Sequence, residues 1–199
     1  LAPLAGLLIV PPKPEGEGGY TPFEEIVNFA KENKIKIAVN PGNQQLSLPI
    51  DDLKKIFSKI DILFLNQEEA SFLSKISFHD EAEIFKKIDE ICPGVAVMTK
   101  GGEGVVASNG KYLYSAKPHS DRKIVDTTGA GDSFAAGFLS DYIRYNGDIE
   151  KAIQLGLANS AANLAEIGAK IGLLDKNSKF ERVSVSKQEC GENNLCITK

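Results

Sequence analysis

Short apolar runs alternate with amphipathic stretches along most of this chain, and this alternation strongly limits the folds it can adopt. The runs at 62–65 and 95–98 contain only apolar residues. Between them, apolar side chains recur at helical spacing, as at Ile84, Ile88 and Ile91. Continuous apolar runs are typical of parallel strands that are buried on both faces and connected by helices. The sequence therefore predicts a three-layer α/β/α fold with a mainly parallel sheet.

The two ends of the chain differ in composition from the middle. Residues 1–19 contain a proline cluster and a Gly/Glu-rich stretch, which are typical of a loop, and residues 188–199 are mostly polar. We predict one α/β domain over 20–187, with an irregular segment before it and a flexible tail after it. Within the domain we predict a β-hairpin with a primed turn around residues 109–110, followed by two long helices over 130–145 and 149–167.

Charge and cysteine content argue against several classes of protein. The chain has 23 basic and 27 acidic residues, so it lacks a global field that would hold nucleic acid or an anionic membrane. No apolar stretch reaches the roughly 18 residues that a membrane span requires. The three cysteines lack metal-site spacing, and their odd number argues against a disulfide framework. With no recognisable signal peptide, we expect a cytoplasmic protein with no nucleic-acid or membrane partner.

The strongest chemical signal is the string DTTGAGDSF at 126–134, which joins a loop to a helix. Small residues at 129–131 leave backbone N–H groups uncovered at the positive end of that helix, which makes an anion site without a basic side chain. Asp132 follows in the first turn, where its carboxylate can accept a proton from an attacking hydroxyl. Amides that stabilise a transferring charge beside such a carboxylate indicate phosphoryl transfer. A helix N-cap with a glycine turn is the alternative for a bare Gly-x-Gly-Asp, but the full string is far more specific.

Three further motifs occur elsewhere in the chain. The string NQEE at 66–69 follows one predicted strand, TKGGEG at 99–104 follows another, and ANSAA at 158–162 lies in the second long helix. The first two also have structural interpretations. Asn66 and Glu69 could form a helix cap with a first-turn acid, and residues 99–104 could be a turn into the hairpin, with Lys100 in solvent.

Together these motifs resemble those of the ribokinase-like carbohydrate kinases, also called the phosphofructokinase-B family. Residues 126–138 are similar to the family's C-terminal signature, residues 66–69 to its Asn-x-x-Glu motif, and residues 99–104 to its nucleotide loop. The resemblance covers 20–187 and implies a ribokinase-like fold. Family members also have an N-terminal part with a Gly-Gly motif, most of the sugar contacts and a β-sheet lid. None of this is recognisable here, so we expect a chain without that part and without a lid-mediated dimer.

The resemblance implies roles for the residues that match. Asp132 is the expected catalytic base, and the amides of Gly129, Ala130 and Gly131 are expected to hold the transferring phosphoryl group. ATP is expected at six positions of the nucleotide loop and the second long helix: Thr99, Lys100, Gly101, Gly102, Gly104 and Asn159.

Cation sites are implied in the same way. Asn66 and Glu69 are expected to act on Mg²⁺ through water. Asp126 and the carbonyl of Thr128 match positions where many members bind a monovalent cation such as K⁺. The loop with Gly168, Ala169 and Gly172 would complete that site.

The function implied is ATP-dependent phosphorylation of a hydroxyl group on a small sugar or nucleoside. The alternative is a truncated or pseudokinase module that binds nucleotide without turnover, because the sugar-binding part is not recognisable. Many sugar kinases have Asp-x-Asn-x-Arg where this chain has NPGNQ at 40–44, and this difference favours an unphosphorylated substrate.

Overall fold

The structure is a computed structural model that describes residues 6–7, 22–121 and 123–190, and these residues pack into two compact units. Of the described residues, the first unit contains 6–7, 22–98, 108–112 and 189–190, and the second contains the rest. Most of the predicted irregular segment 1–19 and of the predicted tail 188–199 lies outside the described residues. The predicted domain boundaries after residues 19 and 187 stay predictions.

Helices and strands alternate through both units, as the apolar pattern predicts. The strands are β1 (Gly6–Leu7), β2 (Ile37–Val39), β3 (Ile62–Asn66), β4 (Val95–Thr99), β5 (Val105–Ser108), β6 (Tyr112–Ala116) and β7 (Val185–Glu189). The helices are α1 (Pro22–Glu32), α2 (Asn43–Leu46), α3 (Ile50–Phe57), α4 (Gln67–Ser74), α5 (Glu81–Ile91), α6 (Ala130–Arg144) and α7 (Ile149–Leu164).

The strands form mixed, mostly parallel sheet, which confirms the predicted fold class. In the first unit β1, β2 and β3 are parallel neighbours, with Gly6 opposite Ile37 and Ala38 opposite Ile62. The next strand, β4, is the neighbour of β3, and in the second unit β5, β6 and β7 are neighbours in that order. The two apolar runs that predict buried strands lie in β3 and β4, whose apolar side chains are buried.

The core of the first unit combines these strands with one face of each neighbouring helix. Leu63 of β3, Phe57 of α3 and Ile84 of α5 are all fully buried. Burial of one such side chain stabilises the fold by about 1.5–3 kcal/mol relative to leaving it in water. The helices therefore form because their apolar faces are covered, and their polar faces remain in solvent.

The second unit is organised by close packing of α6 on α7. A side chain at Gly137 would stand 2.7 Å from the backbone oxygen of Leu155, and one at Gly156 would stand 2.8 Å from the ring of Phe134. Along α6 the ring of Phe138 stacks on that of Tyr142 at 5.8 Å. Gly137 and Gly156 therefore permit the close approach of the two helices.

The predicted hairpin between β5 and β6 is present, and the side chain of Asn109 organises its turn. Three residues, 109–111, connect the strands, and only Gly110 among them has a positive φ, of 76°. A two-residue type I′ turn would also need a positive φ at Asn109. Instead, the side-chain oxygen of Asn109 accepts hydrogen bonds from the backbone N–H groups of Lys111 and Tyr112, at 3.1 and 2.8 Å. Asn109 also donates its own N–H to the oxygen of Tyr112 at 3.2 Å. A type II′ turn, the other primed type, needs a positive φ at one residue only, so the predicted primed turn stays a prediction.

Two observations concern the expected compartment. Cys92 is a buried free thiol, whereas Cys190 is disulfide-bonded, so the cysteine content gives no support for a reducing environment. In the part of the chain that the structure describes, no helix combines the length and apolar character needed to cross a bilayer. Cytoplasmic location stays a prediction.

Candidate functional site

A cavity of about 210 Å³ in the second unit brings together two of the predicted motifs. Its lining includes six residues that were assigned from the sequence to ATP or to the transferring phosphoryl group: Thr99, Gly101, Gly102, Gly104, Ala130 and Gly131. Thr99 is the last residue of β4, and Ala130 is the first residue of α6. A strand end and a helix N-terminus therefore border one cavity, an arrangement typical of ligand sites in α/β proteins.

One wall of the cavity is a face of α7 that overlaps the string ANSAA at 158–162. Leu157, Ser160, Ala161 and Leu164 line it. Their spacing is i, i+3, i+4 and i+7, which places them on one helical face. The string ANSAA contributes Ser160 and Ala161 to this face, whereas Asn159, the residue of the string that was assigned to ATP, does not line the cavity.

The nucleotide loop is shaped by two glycines. Gly101 and Gly104 have φ values of 54° and 100°, which favour glycine. Lys100 donates its backbone N–H to the oxygen of Gly104 at 2.8 Å, which closes the turn. A side chain at Gly104 would collide with the carbonyl of Ala116, whereas one at Gly101 would meet nothing within 4 Å. The first glycine thus leaves the backbone open, and the second allows close packing.

Residues 126–131, here called the anion loop, lead into α6 through Gly129, the N-cap, with a φ of 81°. Ala130 donates its N–H to Thr127 at 3.3 Å. The N–H groups of Gly129, Gly131 and Asp132 have no hydrogen-bond partner among the residues that the structure describes. Two of the three amides predicted to hold an anion are therefore available, and the third makes a long hydrogen bond within the loop.

Asp126 holds the anion loop in shape. One carboxylate oxygen accepts the N–H of Thr128 and the other accepts the N–H of Gly168, both at 2.9 Å. Hydrogen bonds from Thr128, and then from Gly168, hold the pKa of this carboxyl below its usual range. The group therefore stays ionised in neutral solution, which suits a role beside a cation. The structure brings Asp126 and Gly168 together, as the predicted cation site requires.

Asp132 lies in the first turn of α6 with its side chain exposed. Its neighbour Gly131 is also exposed, and a side chain there would meet nothing within 4 Å. Asp132 is not among the residues that line the cavity, but it is next to one that is. A carboxylate in this position is open to a substrate that reaches the helix terminus from solvent.

Asn159 is buried and makes two hydrogen bonds within the protein. Its amide nitrogen donates to the backbone oxygen of Ser133 at 2.7 Å, and its oxygen accepts the N–H of Leu174 at 2.8 Å. Both halves of the amide are engaged. The contacts seen in the structure are therefore with the backbone of Ser133 and of Leu174, and the predicted nucleotide contact of Asn159 stays a prediction.

Asn66 and Glu69 belong to the first unit, where they form a capping box at the start of α4. The Asn66 oxygen accepts the N–H of Glu69, and Glu69 Oε2 accepts the N–H of Asn66, both at 2.8 Å. Burial raises the pKa of Glu69. The structural interpretation of this motif is thus correct, and it leaves Glu69 Oε1 outside the box. Among the described residues, no group of three or more His, Cys, Asp or Glu side chains could hold a metal ion. The amide and carboxylate oxygens of Asn66 and Glu69 are of the kind that contacts Mg²⁺ through water.

Comparisons with known proteins agree with these motifs. The family model described as "pfkB family carbohydrate kinase" matches residues 21–176. The chain is 31% identical over 150 residues to a cytidine kinase of Thermococcus kodakarensis, covering 72% of this chain and 51% of that protein. It is 33% identical over 150 residues to a ribokinase of Lactococcus lactis, covering 74% of this chain and 45% of that protein.

A solved structure of a probable sugar kinase from Rhizobium etli superposes with a TM-score of 0.64 at 26% identity, covering 74% of this chain and 44% of that one. The chain thus spans about half the length of the curated relatives it matches.

Proposed function

Because the chain belongs to the pfkB family of carbohydrate kinases, we propose that it is the nucleotide-binding and catalytic part of an ATP-dependent phosphotransferase. The proposed acceptor is a hydroxyl group of a small sugar or nucleoside, a class supported by the names of its relatives, ribokinase and cytidine kinase. The single observation that carries the proposal is the cavity shared by the nucleotide loop, the N-terminus of α6 and one face of α7.

In the proposed reaction Asp132 takes the proton of the acceptor hydroxyl as its oxygen attacks the γ-phosphorus of ATP. The bond from that phosphorus to the β,γ-bridging oxygen breaks, and ADP leaves. The N–H groups of Gly129 and Gly131 donate to the γ-phosphoryl oxygens, with a contribution from the positive end of α6. The exposed side chain of Asp132 and its position in the first turn support this assignment.

The nucleotide would use the cavity and the open backbone at Gly101. The wall formed by Leu157 and Ala161 is apolar and suits the flat face of a base. Typical ligand sites have volumes of about 300–1,000 Å³. The volume of about 210 Å³ therefore fits part of a nucleotide, and the phosphates would extend along the anion loop.

Cations enter the proposal through the residues whose chemistry fits them. Mg²⁺ bound to the phosphates would neutralise charge during transfer. Asn66 and Glu69 would hold its waters, because amide and carboxylate oxygens suit this ion and Glu69 Oε1 takes no part in the capping box. Asp126 and the carbonyl of Thr128 would hold a monovalent cation such as K⁺.

The proposal is tested first by calorimetry with the non-hydrolysable ATP analogue AMP-PNP and Mg²⁺. We expect the wild-type chain to bind it, Asp132→Asn to bind it nearly as well, and Gly131→Val to bind it weakly. Glu181→Gln, which changes an exposed acid elsewhere in the second unit, is the control for the loss of one charge. Absence of binding by well-folded wild-type protein would refute the nucleotide site.

A kinase assay over a panel of sugars and nucleosides tests the activity. It uses this chain and a longer form that also carries an N-terminal part like that of the relatives. Phosphorylation of a panel member that is lost in Asp132→Asn supports the proposed reaction. Nucleotide binding with no turnover in either form would mean a binding module instead.

A further inference from the structure

Residues 165–174, here called the strap, follow α7 and are fastened to it by two buried asparagines. The amide nitrogen of Asn163 donates to the backbone oxygens of Gly168 and Ile171, both at 3.0 Å. One helical turn earlier, the oxygen of Asn159 accepts the N–H of Leu174 at 2.8 Å. Asn159 and Asn163 are 6% and 1% exposed, so the asparagine end of each hydrogen bond is buried.

The strap in turn contacts the anion loop. Its Gly168 donates an N–H to Asp126, the same carboxylate that accepts the N–H of Thr128. Its Ala169 lies so close to Gly129 that a side chain at Gly129 would stand 2.7 Å from the Ala169 Cα. The conformation of the loop that carries the proposed anion-binding amides therefore depends on where the strap lies.

A second connection runs from the strap to the first turn of α6. Asn159 accepts from Leu174 with its oxygen and donates to the oxygen of Ser133 with its nitrogen, at 2.7 Å. Ser133 directly follows Asp132. An uncharged side chain that donates from one atom and accepts at another is needed here, and asparagine provides both at short reach.

The chemistry of Asn163 indicates that its role in the fold is to hold the strap through its hydrogen bonds to Gly168 and Ile171. Its side-chain oxygen is buried and has no hydrogen-bond partner among the described residues. Burying an unpaired oxygen is unfavourable, and an apolar side chain of similar size would avoid it. The amide orientation is set by the two strap carbonyls, which can only accept.

We infer that Asn159 and Asn163 are positioning residues, which hold the strap so that it sets the geometry of the anion loop. The catalytic meaning of this inference rests on the proposed function, but its conformational part does not. Loss of either asparagine is expected to loosen the anion loop, and not only the strap, and to weaken nucleotide binding. Asn163 has no predicted contact with the nucleotide, so its variants separate this effect from the loss of a binding contact.

The test measures amide hydrogen exchange of the folded protein without nucleotide, together with AMP-PNP affinity. We expect Asn163→Leu to exchange about tenfold faster in peptides covering both 165–174 and 126–134, and to bind AMP-PNP about tenfold more weakly. Asn159→Asp keeps an acceptor for Leu174 but loses the donor to Ser133. It is therefore expected to speed exchange at 126–134 and to weaken binding while the strap keeps its protection.

The matched control is a substitution at Ile153, a buried residue of α7. It is replaced by Val or by Ala, whichever gives a melting temperature closer to that of Asn163→Leu. This control is expected to leave local exchange in both peptides and AMP-PNP affinity near wild type. Should Asn163→Leu fail to fold, Asn163→Ser, which is shorter and cannot span to both carbonyls, takes its place.

The inference is overturned if the Asn163 variant exchanges faster in the strap alone and binds AMP-PNP with wild-type affinity. It is also overturned if the Ile153 control of equal stability shows the same changes in both peptides. If the wild-type chain binds no nucleotide, the proposed function fails, and the exchange data still decide whether the asparagines position the loop.

Discussion

Asp89 on α5 should make the stability of this protein fall as the pH rises, because the fold favours its uncharged form. Its Oδ1 is buried and has no hydrogen-bond partner among the described residues, while its Oδ2 accepts the hydroxyl of Ser108 at 2.8 Å. Burial raises the pKa of this carboxyl to about 6, and the hydrogen bond from Ser108 only partly opposes the effect. The perturbation that tests this is Asp89→Asn, which keeps the size and removes the charge.

The size of the effect follows from the two pKa values. An ordinary aspartate has a pKa of 3.8, and Asp89 in the fold has one of about 6. The folded state therefore binds more protons than the unfolded state between these values. The stabilisation that comes from protonated Asp89 is complete below pH 3.8 and is lost as the pH rises through 6. At 1.36 kcal/mol per pH unit, the loss is about 3 kcal/mol. About 2.5 kcal/mol of it falls between pH 4 and pH 8.

The assay is urea unfolding followed by circular dichroism at pH 4, 6 and 8, for wild type, Asp89→Asn and Asp80→Asn. Asp80 lies at the N-cap of the same helix, is exposed and makes no capping hydrogen bond, so its variant controls for charge. We expect the stability of Asp89→Asn relative to wild type to rise by about 2.5 kcal/mol from pH 4 to pH 8. In thermal unfolding this corresponds to about 5–10 °C for a chain of this size.

The comparison between variants is needed because carboxylates with lowered pKa values act in the opposite direction. Asp126, Asp148 and Asp175 all favour the folded state more strongly as the pH rises. Their contribution cancels when wild type and Asp89→Asn are compared at the same pH. A difference between the two that does not change from pH 4 to pH 8, or that favours wild type more at pH 8, would refute the reasoning.

Three further results are expected at the site. In a longer form that turns over, Asp132→Asn should lower kcat by about a hundredfold or more, because the proposed role of the side chain is to take a proton. Its melting temperature and AMP-PNP affinity should stay near wild type, because the side chain is exposed. Retention of more than about a tenth of wild-type kcat would remove Asp132 as the base. Gly131→Val should weaken AMP-PNP binding with little change in melting temperature. Gly129→Ala should lower the melting temperature, because only Gly129 has a positive φ and a neighbour, Ala169, within 3 Å of an added side chain. Equal melting temperatures for the two variants would contradict this account. Asn66→Ala should destabilise the chain by about 1 kcal/mol in urea unfolding through loss of the capping box, and an unchanged midpoint would show that the cap contributes nothing.

Local sequence patterns were sufficient to predict two buried strands, a hairpin, the helix between those strands and the two long helices, together with the placement of the motifs. Burial of an apolar face is the dominant stabilising term, and it requires apolar residues at regular spacing in the sequence. The continuous apolar runs of β3 and β4 and the helical spacing in α5 could therefore be recognised. The anion loop was predictable for a related reason. Uncovered amides at a helix N-terminus need small residues in a fixed order, and 129–131 supply them.

Tertiary structure decided what each polar side chain contacts. Asn159 stands in a motif that indicates a nucleotide, but its buried amide joins Ser133 to Leu174, and Ser160, one residue further, lines the cavity instead. Such outcomes depend on partners that come together only when α6, α7 and the strap pack. Hydrophobic periodicity reports which face of a helix is buried, but the hydrogen-bond partner of a buried amide is set by the geometry of the packed helices.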